Sequence, residues 1–439
     1  MMEKLKPFGY DDIPDDWTLK SLGDISASNH QGINTVAEKV KYVNDGYPIL
    51  QAKHITSEKI QLNDTKYVDD DDWCKYKNKY QPKYGEILLS NIGTIGRTVL
   101  IEKEIDLLIA WNIFLIRPIQ SLAFPPFVRE ALRFLYSNKY LDRLTSGNAT
   151  KFVNKSQVES TPILLPPLAE QQKIAEILST VDAKIDVIDQ QISETQELKK
   201  GLMQRLMTKG IGHTEFKDSS LGEIPKSWKV VKIQDLLNEG RIISHLDGNH
   251  GGLYPKADEF IDDGVPYISA NCFINSKVDF SKCKHLSMER SLQFRKGVAK
   301  NGDVLFAHNA TVGPVAFLET DLDFVILSTT ATYFRLDNKT IDAKYWLFFL
   351  SSPTFKNQYE KVMGQSTRNQ VPITMQRSFL SVLPTFQEQK EISEILNTTD
   401  KKLEVLSEKK TNYVELKQGL MQQLLTGKVR VQLNSSVTS

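Results

Sequence analysis

Apolar residues recur at steps of three and four through two long stretches of this chain. The first stripe runs through Ile174, Ile177, Val181, Ile185, Ile188, Ile192, Leu198, Leu202 and Leu206. The second runs through Ile392, Ile395, Leu403, Leu406, Leu416, Leu420 and Leu424, with Thr399 and Lys410 interrupting it. Such spacing places the apolar side chains on one face of an α-helix. A helix of about 37 residues is about 55 Å long, and a narrow seam on so long a helix needs a partner helix. Each stretch is the expected partner of the other. An antiparallel pair buries both seams and carries whatever is attached to opposite ends.

Elsewhere the pattern shortens to β-type runs bounded by turn residues. "YPIL", "EILLS", "RTVLIE" and "IFLIRP" lie before the first helix; "PYISA", "DVLFA", "VAFLE" and "TATYFRL" lie before the second. Each set is followed by an apolar segment of helical character, "FVREALRFLYS" and "AKYWLFFLSS". The predicted fold class is α+β. It comprises two tandem mixed, β-rich domains, each followed by a long helix, with the helices pairing as an antiparallel coiled coil in a pseudo-twofold arrangement. The expected divisions are 1–165, 166–210 for the first helix, 211–383, 384–428 for the second helix, and a tail at 429–439.

The duplication is explicit. Glu170–Leu206 and Glu388–Leu424 align without a gap, and 18 of the 37 positions are identical. "ELKKGLMQRLMT" answers "ELKQGLMQQLLT". Upstream the likeness is looser: Ile13-Pro14 with Trp17 returns as Ile224-Pro225 with Trp228, and "GEILLSNIGTIG" returns as "GDVLFAHNATVG". Pro166-Pro167 cannot continue a preceding helix and isolates the first long helix; the second copy has Pro384-Thr385-Phe386 instead, so that junction is expected to differ.

Catalytic chemistry is hard to find. The chain has no G-x-G-x-x-G, P-loop or H-E-x-x-H motif and no G-x-S-x-G elbow. "FPPF" at Phe124–Phe127 lacks the leading Asn or Asp of an amino-methyltransferase motif and reads as a turn before a helix. Glu197-Leu198-Lys199 and Glu415-Leu416-Lys417 resemble half of a nuclease signature, but their charges read as a solvated helix face. Seven histidines show no metal-ligand spacing. Cys74, Cys272 and Cys283 form no C-x-x-C pair and read as small buried apolar residues in a reducing cytoplasm. No apolar run is long enough to span a membrane.

The polar loops carry more. "LSNIGTIGR" offers Asn91, Thr94 and Arg97, and "SGNATKFVN" offers Asn148, Thr150 and Lys151. The corresponding second-half loops offer His308, Asn309 and Thr311, then Gln365, Thr367 and Arg368. Asn, Gln, Lys and Arg read base edges, and Ser and Thr reach phosphates. These residues are the expected DNA-binding set. A net charge of +1 leaves little spare positive charge for gripping phosphates unaided.

The repeated "LPPLAEQQKIAEIL" and "LPTFQEQKEISEIL", the "LKKGLMQRLM" and "LKQGLMQQLL" tails, and the "IPDDW" and "IPKSW" openings resemble the DNA-specificity subunit of type I restriction–modification enzymes. The resemblance covers essentially the whole chain. It implies a non-catalytic cytoplasmic subunit whose two domains each read half of a bipartite double-stranded DNA target, with the helices as a ruler between them. It also implies two methyltransferase subunits and two motor-nuclease subunits as partners. S-adenosylmethionine, ATP and Mg2+ would sit on those partners and not on this chain. The specificity subunit of a related type II system, or a repeat scaffold without DNA readout, are the alternatives. Leu178, Val187 and Met203, flanking the seam, are candidates for a partner surface.

Overall fold

The computed structural model describes residues 13–56, 59–93, 95–140, 152–248, 250–364 and 369–432. The chain forms two compact units. One joins the first β-rich domain, the N-terminal part of the first long helix to residue 189, and the C-terminal segment from residue 408; the other spans residues 190–407. The long helices run Leu168–Lys209 and Phe386–Leu424. Each unit therefore owns one domain and a portion of both helices.

In the first unit the main sheet has four antiparallel strands in the order Ser26–Gln31, Ile113–Pro118, Ile87–Ser90, Thr98–Leu100. In the second unit the same order is Ile242–Asp247, Ala331–Leu336, Val304–Asn309, Thr311–Phe317, extended by the hairpin strands Lys277–Val278 and Phe273–Ile274. A smaller sheet in each unit contains one parallel pair, Tyr47–Leu50 beside Leu108–Ile109 and Val265–Ile268 beside Val325–Leu327. The β-branched and aromatic strands predicted from the sequence supply these sheets. Each domain also pairs a strand near its start with its last strand: Thr18–Ser21 pairs with Pro162–Leu165, and Lys229–Lys232 with Leu380–Leu383. Chain entry and exit thus lie side by side at the base of a long helix.

That base is built the same way twice. Glu170 accepts the indole N–H of Trp17 at 3.1 Å, and Glu388 accepts that of Trp228 at 2.9 Å. The neighbouring glutamine closes the junction from both sides. Gln171 Oε1 accepts from Phe124 N while its Nε2 donates to Pro166 O; Gln389 Oε1 accepts from Asp342 N while its Nε2 donates to Pro384 O. The change to Thr385-Phe386 leaves this geometry intact. The segment following a helix completes each clamp. In the second unit Ile211 N and His213 Nε2 donate to Glu388 Oε1. In the first unit Arg430 donates to both oxygens of Glu170, at 2.8 Å each. Both approaches pass a left-handed glycine, Gly210 and Gly427; a Cβ there would fall 2.4 Å from Glu388 Oε1 or 2.7 Å from Pro14.

The helices pair antiparallel within each unit. In the first, Asp182 meets Lys417 at 2.5 Å and Asp189 meets Lys410 at 2.6 Å. In the second, Lys199 meets Asp400 at 2.5 Å. Among the buried and half-buried positions of the first helix, one stripe runs through 174, 178, 181, 185, 188, 192, 195, 199, 202 and 206, alternating steps of four and three. The second helix follows it at 392, 396, 399, 403, 406, 410, 413, 417, 420 and 424.

This corrects the sequence reading in a specific way. Leu198 and Leu416, placed on the seam by their hydrophobicity, are 54% and 50% exposed, and Ile395 is exposed as well. The seam takes Lys199 and Lys417 instead, and Leu178 and Leu396 are fully buried in it, as are Ile174 and Ile392. Heptad geometry outweighs side-chain polarity here because each seam lysine finds an aspartate across the interface. Of the charges flanking these leucines, Glu197 and Glu415 are exposed as expected, whereas Lys199 and Lys417 are not part of a solvated face. Lys417 is only 5% exposed and also meets Glu130, which Arg129 and Arg133 bracket. Burial pulls its ammonium below the usual lysine range, against the attraction of Glu130. In the second unit the equivalent environment is apolar, with Lys199 Nζ 6.0 Å from the Phe348 ring centre.

Polar seam positions select register at some cost in stability. Sliding the helices by one heptad one way faces Lys417 with Asp189 but leaves Lys410 opposite Gln196 and Lys199 opposite Ser407. Sliding the other way faces Lys410 with Asp182 but leaves Lys417 opposite Ala175 and Lys199 opposite Ser393. All three pairs are satisfied together in the observed register alone of the three. The observed seam gives a direct expectation. Ile188→Asp buries an unpaired carboxylate and lowers stability by about 3 kcal/mol or more, as does Leu406→Asp, whereas Leu198→Asp changes it by less than about 1 kcal/mol. Urea unfolding followed by helical circular dichroism measures all three; equal losses at 188 and 198 would contradict the register.

Candidate nucleic-acid interface

The strand Ile87–Ser90 ends in the loop Asn91–Arg97, which returns as Thr98–Leu100. In the second unit the strands Val304–Asn309 and Thr311–Phe317 are joined through Ala310 alone, in the left-handed region at φ 63°. The second polar segment of each domain docks against the first. Ile92 bridges Phe152, and Asn309 bridges Gln370. The structure therefore brings together the loop pairs that the sequence separates by about 60 residues. Thr94, Asn148, Thr150, Lys151, Gln365, Thr367 and Arg368 lie outside the described residues.

Asn91 and His308 do not face solvent, which corrects their expected role in touching DNA. Asn91 is fully buried: its Nδ2 donates to Val153 O at 3.2 Å, and its own carbonyl accepts from Val153 N at 3.0 Å. His308 occupies the same place. Its Nδ1 donates to Val371 O at 3.1 Å, and its carbonyl accepts from Val371 N at 2.8 Å. Two different side chains thus pin equivalent backbones. Both are short, carry one nitrogen donor at a suitable reach, and sit where a strand leaves the sheet. Sequence alone could not separate a polar side chain that points outward from one that ties down its neighbour.

Arg97, Asn309 and Thr311, unlike Asn91 and His308, remain accessible to solvent. Arg97 and Thr311 are exposed and Asn309 is half-buried. One guanidinium nitrogen of Arg97 donates to Ile55 O at 2.9 Å, which sets the side chain's direction. The sequence reading missed two residues here. Trp111 and Phe152 are both about half exposed, and their backbone neighbours Asn112 and Val153 each bond to Asn91. Gln31 Nε2 steadies the Trp111 carbonyl at 3.2 Å. The available signal was a tryptophan inside a polar turn, "AWN", between two strands.

Beneath the second loop lies a polar network. Val371 O also accepts from Gln376 Nε2, whose Oε1 accepts from His245 Nε2 at 3.1 Å. His245 stacks on Phe334 at 4.0 Å. Burial pulls His245 down to about 3 and also lowers His308. Among the described residues, no group of three or more His, Cys, Asp or Glu is arranged to hold a metal ion, and no helix is long and apolar enough to cross a membrane.

The lowered histidines predict that the second unit loses stability in acid. Below pH 6.5 the unfolded chain binds protons that the folded chain refuses, so their stabilising contribution is full above that pH and is lost as pH falls toward the folded pKa. Each such histidine contributes up to about 1.4 kcal/mol per pH unit in that window. His308→Asn installs the residue the first unit uses and keeps the donor to Val371 O. We expect it to fold and to lose less stability than wild type between pH 6.5 and 5 in denaturant titrations. An unchanged pH slope would show that His308 is not held neutral.

Comparison with known proteins follows from this geometry. The family profile described as "Type I restriction modification DNA specificity domain" matches residues 14–197 and 225–416. The MjaVIII specificity subunit of a type I restriction enzyme from Methanocaldococcus jannaschii is 26% identical, over 95% of this chain and 94% of that protein. The EcoKI specificity subunit from Escherichia coli K12 is 22% identical, over 87% and 81%. The crystal structure of a type I restriction–modification S subunit from M. genitalium aligns over 97% of this chain and 99% of that chain, with a TM-score of 0.58 at 13% identity.

Proposed function

Because the chain belongs to the type I restriction–modification DNA-specificity family, whose specificity subunits are non-catalytic, we propose that it reads a bipartite double-stranded DNA target and brings partner enzymes to it. Each domain reads one half-site. The observation that carries this reading is the twice-built clasp, in which a buried Asn91 or His308 fixes one polar loop against the end of another. Preorganised loops on a rigid sheet are a suitable platform for base-edge contacts. Arg97, Trp111 and Phe152 serve the first face; Asn309 and Thr311 serve the second. The polar residues at 94, 148, 150, 151, 365, 367 and 368 are assigned to DNA contact by their side-chain chemistry alone. Partner subunits supply the remaining phosphate neutralisation, the methyl donor S-adenosylmethionine, and the ATP and Mg2+ of the motor-nuclease.

Exchange of residues 1–160 for the matching domain of another specificity subunit tests modular readout. With a methyltransferase partner present, genome-wide methylation mapping should show one half of the recognised motif replaced and the other retained. Change in both halves, or in neither, would overturn the reading.

The helix pair offers the docking places. Val187 and Leu416 in the first unit, and Leu198 and Val405 in the second, are exposed apolar residues at repeat-equivalent positions. In heptad terms each Val–Leu pair lies on one side of its helix pair. Two equal patches suit two copies of one partner, the methyltransferase. Val187→Glu with Leu416→Glu should reduce the bound methyltransferase from two copies to one in native mass spectrometry. Retention of both copies would rule out this surface.

A further inference from the structure

The second unit holds a pair of thiols with no part in the reading above. Cys272 ends a short 3-10 turn, Ala270–Cys272, and Cys283 follows another, Phe280–Lys282. The backbone between them folds back as the hairpin Phe273–Ile274 and Lys277–Val278. Its base is closed by Asp279 N donating to Cys272 O at 2.8 Å. The Cys272 thiol sits 3.6 Å from Lys282 O, and the Cys283 thiol 3.7 Å from Asp279 O. The Cys272 thiol therefore lies against the backbone of the residue that precedes Cys283, and each thiol shifts the other's proton affinity. Cys272 is buried and Cys283 partly exposed; Cys74, in the other unit, is exposed.

We infer that Cys272 and Cys283 are a redox-active dithiol, which hydrogen peroxide converts to a reversible intradomain disulfide. The two roles differ. Interaction with the Cys283 thiol favours the Cys272 thiolate and lowers that thiol to about 6, against the opposing effect of burial; the same interaction, with burial, raises Cys283. Thiolate, not thiol, is the nucleophile. Cys272 sulfur attacks a peroxide oxygen, the O–O bond breaks, and the departing hydroxide takes a proton to leave as water. Cys272 is then a sulfenic acid. Cys283 sulfur attacks the oxidised sulfur and loses its proton, and the hydroxyl leaves as a second water. One peroxide is reduced and two thiols are oxidised to one disulfide. A thiol reductant returns both cysteines by exchange.

The consequence is local and mechanical. The hairpin closed by the two cysteines adds to the edge of the main sheet, with Lys277 in register with Phe317 on the strand that begins at Thr311. Lys277 also pairs with Glu404 of the second long helix at 2.6 Å. A disulfide at the hairpin base would brace the sheet edge that carries part of the second loop.

The test uses the full-length chain treated with hydrogen peroxide. Trypsin cuts after Lys277 and Lys282, so the expected disulfide links two separate peptides. We expect free thiols to fall from three to one, the linked peptide pair to appear, and dithiothreitol to reverse both. With Cys283→Ser, Cys272 should stop at the sulfenic acid and be captured by dimedone; this variant leaves the buried cysteine in place. Retention of both Cys272 and Cys283 as thiols, or oxidation confined to Cys74, would overturn the inference. The measurement needs no DNA, so its failure leaves the proposed function untouched.

Discussion

A buried carboxylate in the first turn of each long helix holds the architecture together. Glu170 and Glu388 each receive an indole N–H from the domain that precedes their helix, and each is completed by the segment that follows a long helix. Charge-assisted hydrogen bonds of this kind are short and directional. A domain hung on one strand exit would swivel. Held also through an indole and a glutamine side chain, it has a fixed bearing on its helix. The repeated Glu-Gln dipeptide is therefore structural vocabulary, and its recurrence 218 residues later marks a second joint of the same design.

Away from the joint, the helix seam tolerates lysines because each is paired across the interface. Apolar side chains are interchangeable along a heptad repeat, so an all-apolar seam binds well and specifies register poorly. Lys199, Lys410 and Lys417 reverse that balance, since each needs a particular aspartate. Unit 1 adds Glu130 and its two arginines to the arrangement, while unit 2 places Phe348 at the corresponding point. The Lys–Asp pair is common to both, and what differs is the neighbour each domain presents to it. The helices thus keep one pairing rule beneath domains of different composition.

Much of this was legible in the sequence, for a physical reason. Long helices repeat with a period that many residues report jointly, so element type and length emerge even when individual positions mislead. The strands in each unit follow from short β-branched runs and the duplication, whereas their non-sequential order in the sheets does not. What hydrophobicity could not resolve was the phase of the seam. Leu198 beside Lys199 and Leu416 beside Lys417 look like seam followed by surface, and the reverse holds because the deciding partners, Asp400 and Asp182, are 201 and 235 residues away in the chain. Loop position was legible as well, but the direction of a side chain within a loop was not. Asn91 and His308 have the chemistry of base readers and spend it on Val153 and Val371.

That last exchange shows where divergence is free to act. The clasp requires a nitrogen donor that reaches one backbone carbonyl, and both an amide and an imidazole meet the requirement. Beyond the clasp the units part ways: a loop running from Asn91 to Arg97 with Trp111 beside it in one, a turn through a single residue, Ala310, in the other. Holding the anchor while varying the loop lets each domain change the surface it presents without disturbing the sheet beneath. The helices, which must satisfy a partner along their whole length, have no comparable freedom. The strong repeat in the helices and the weak one in the loops are thus two results of the same constraint.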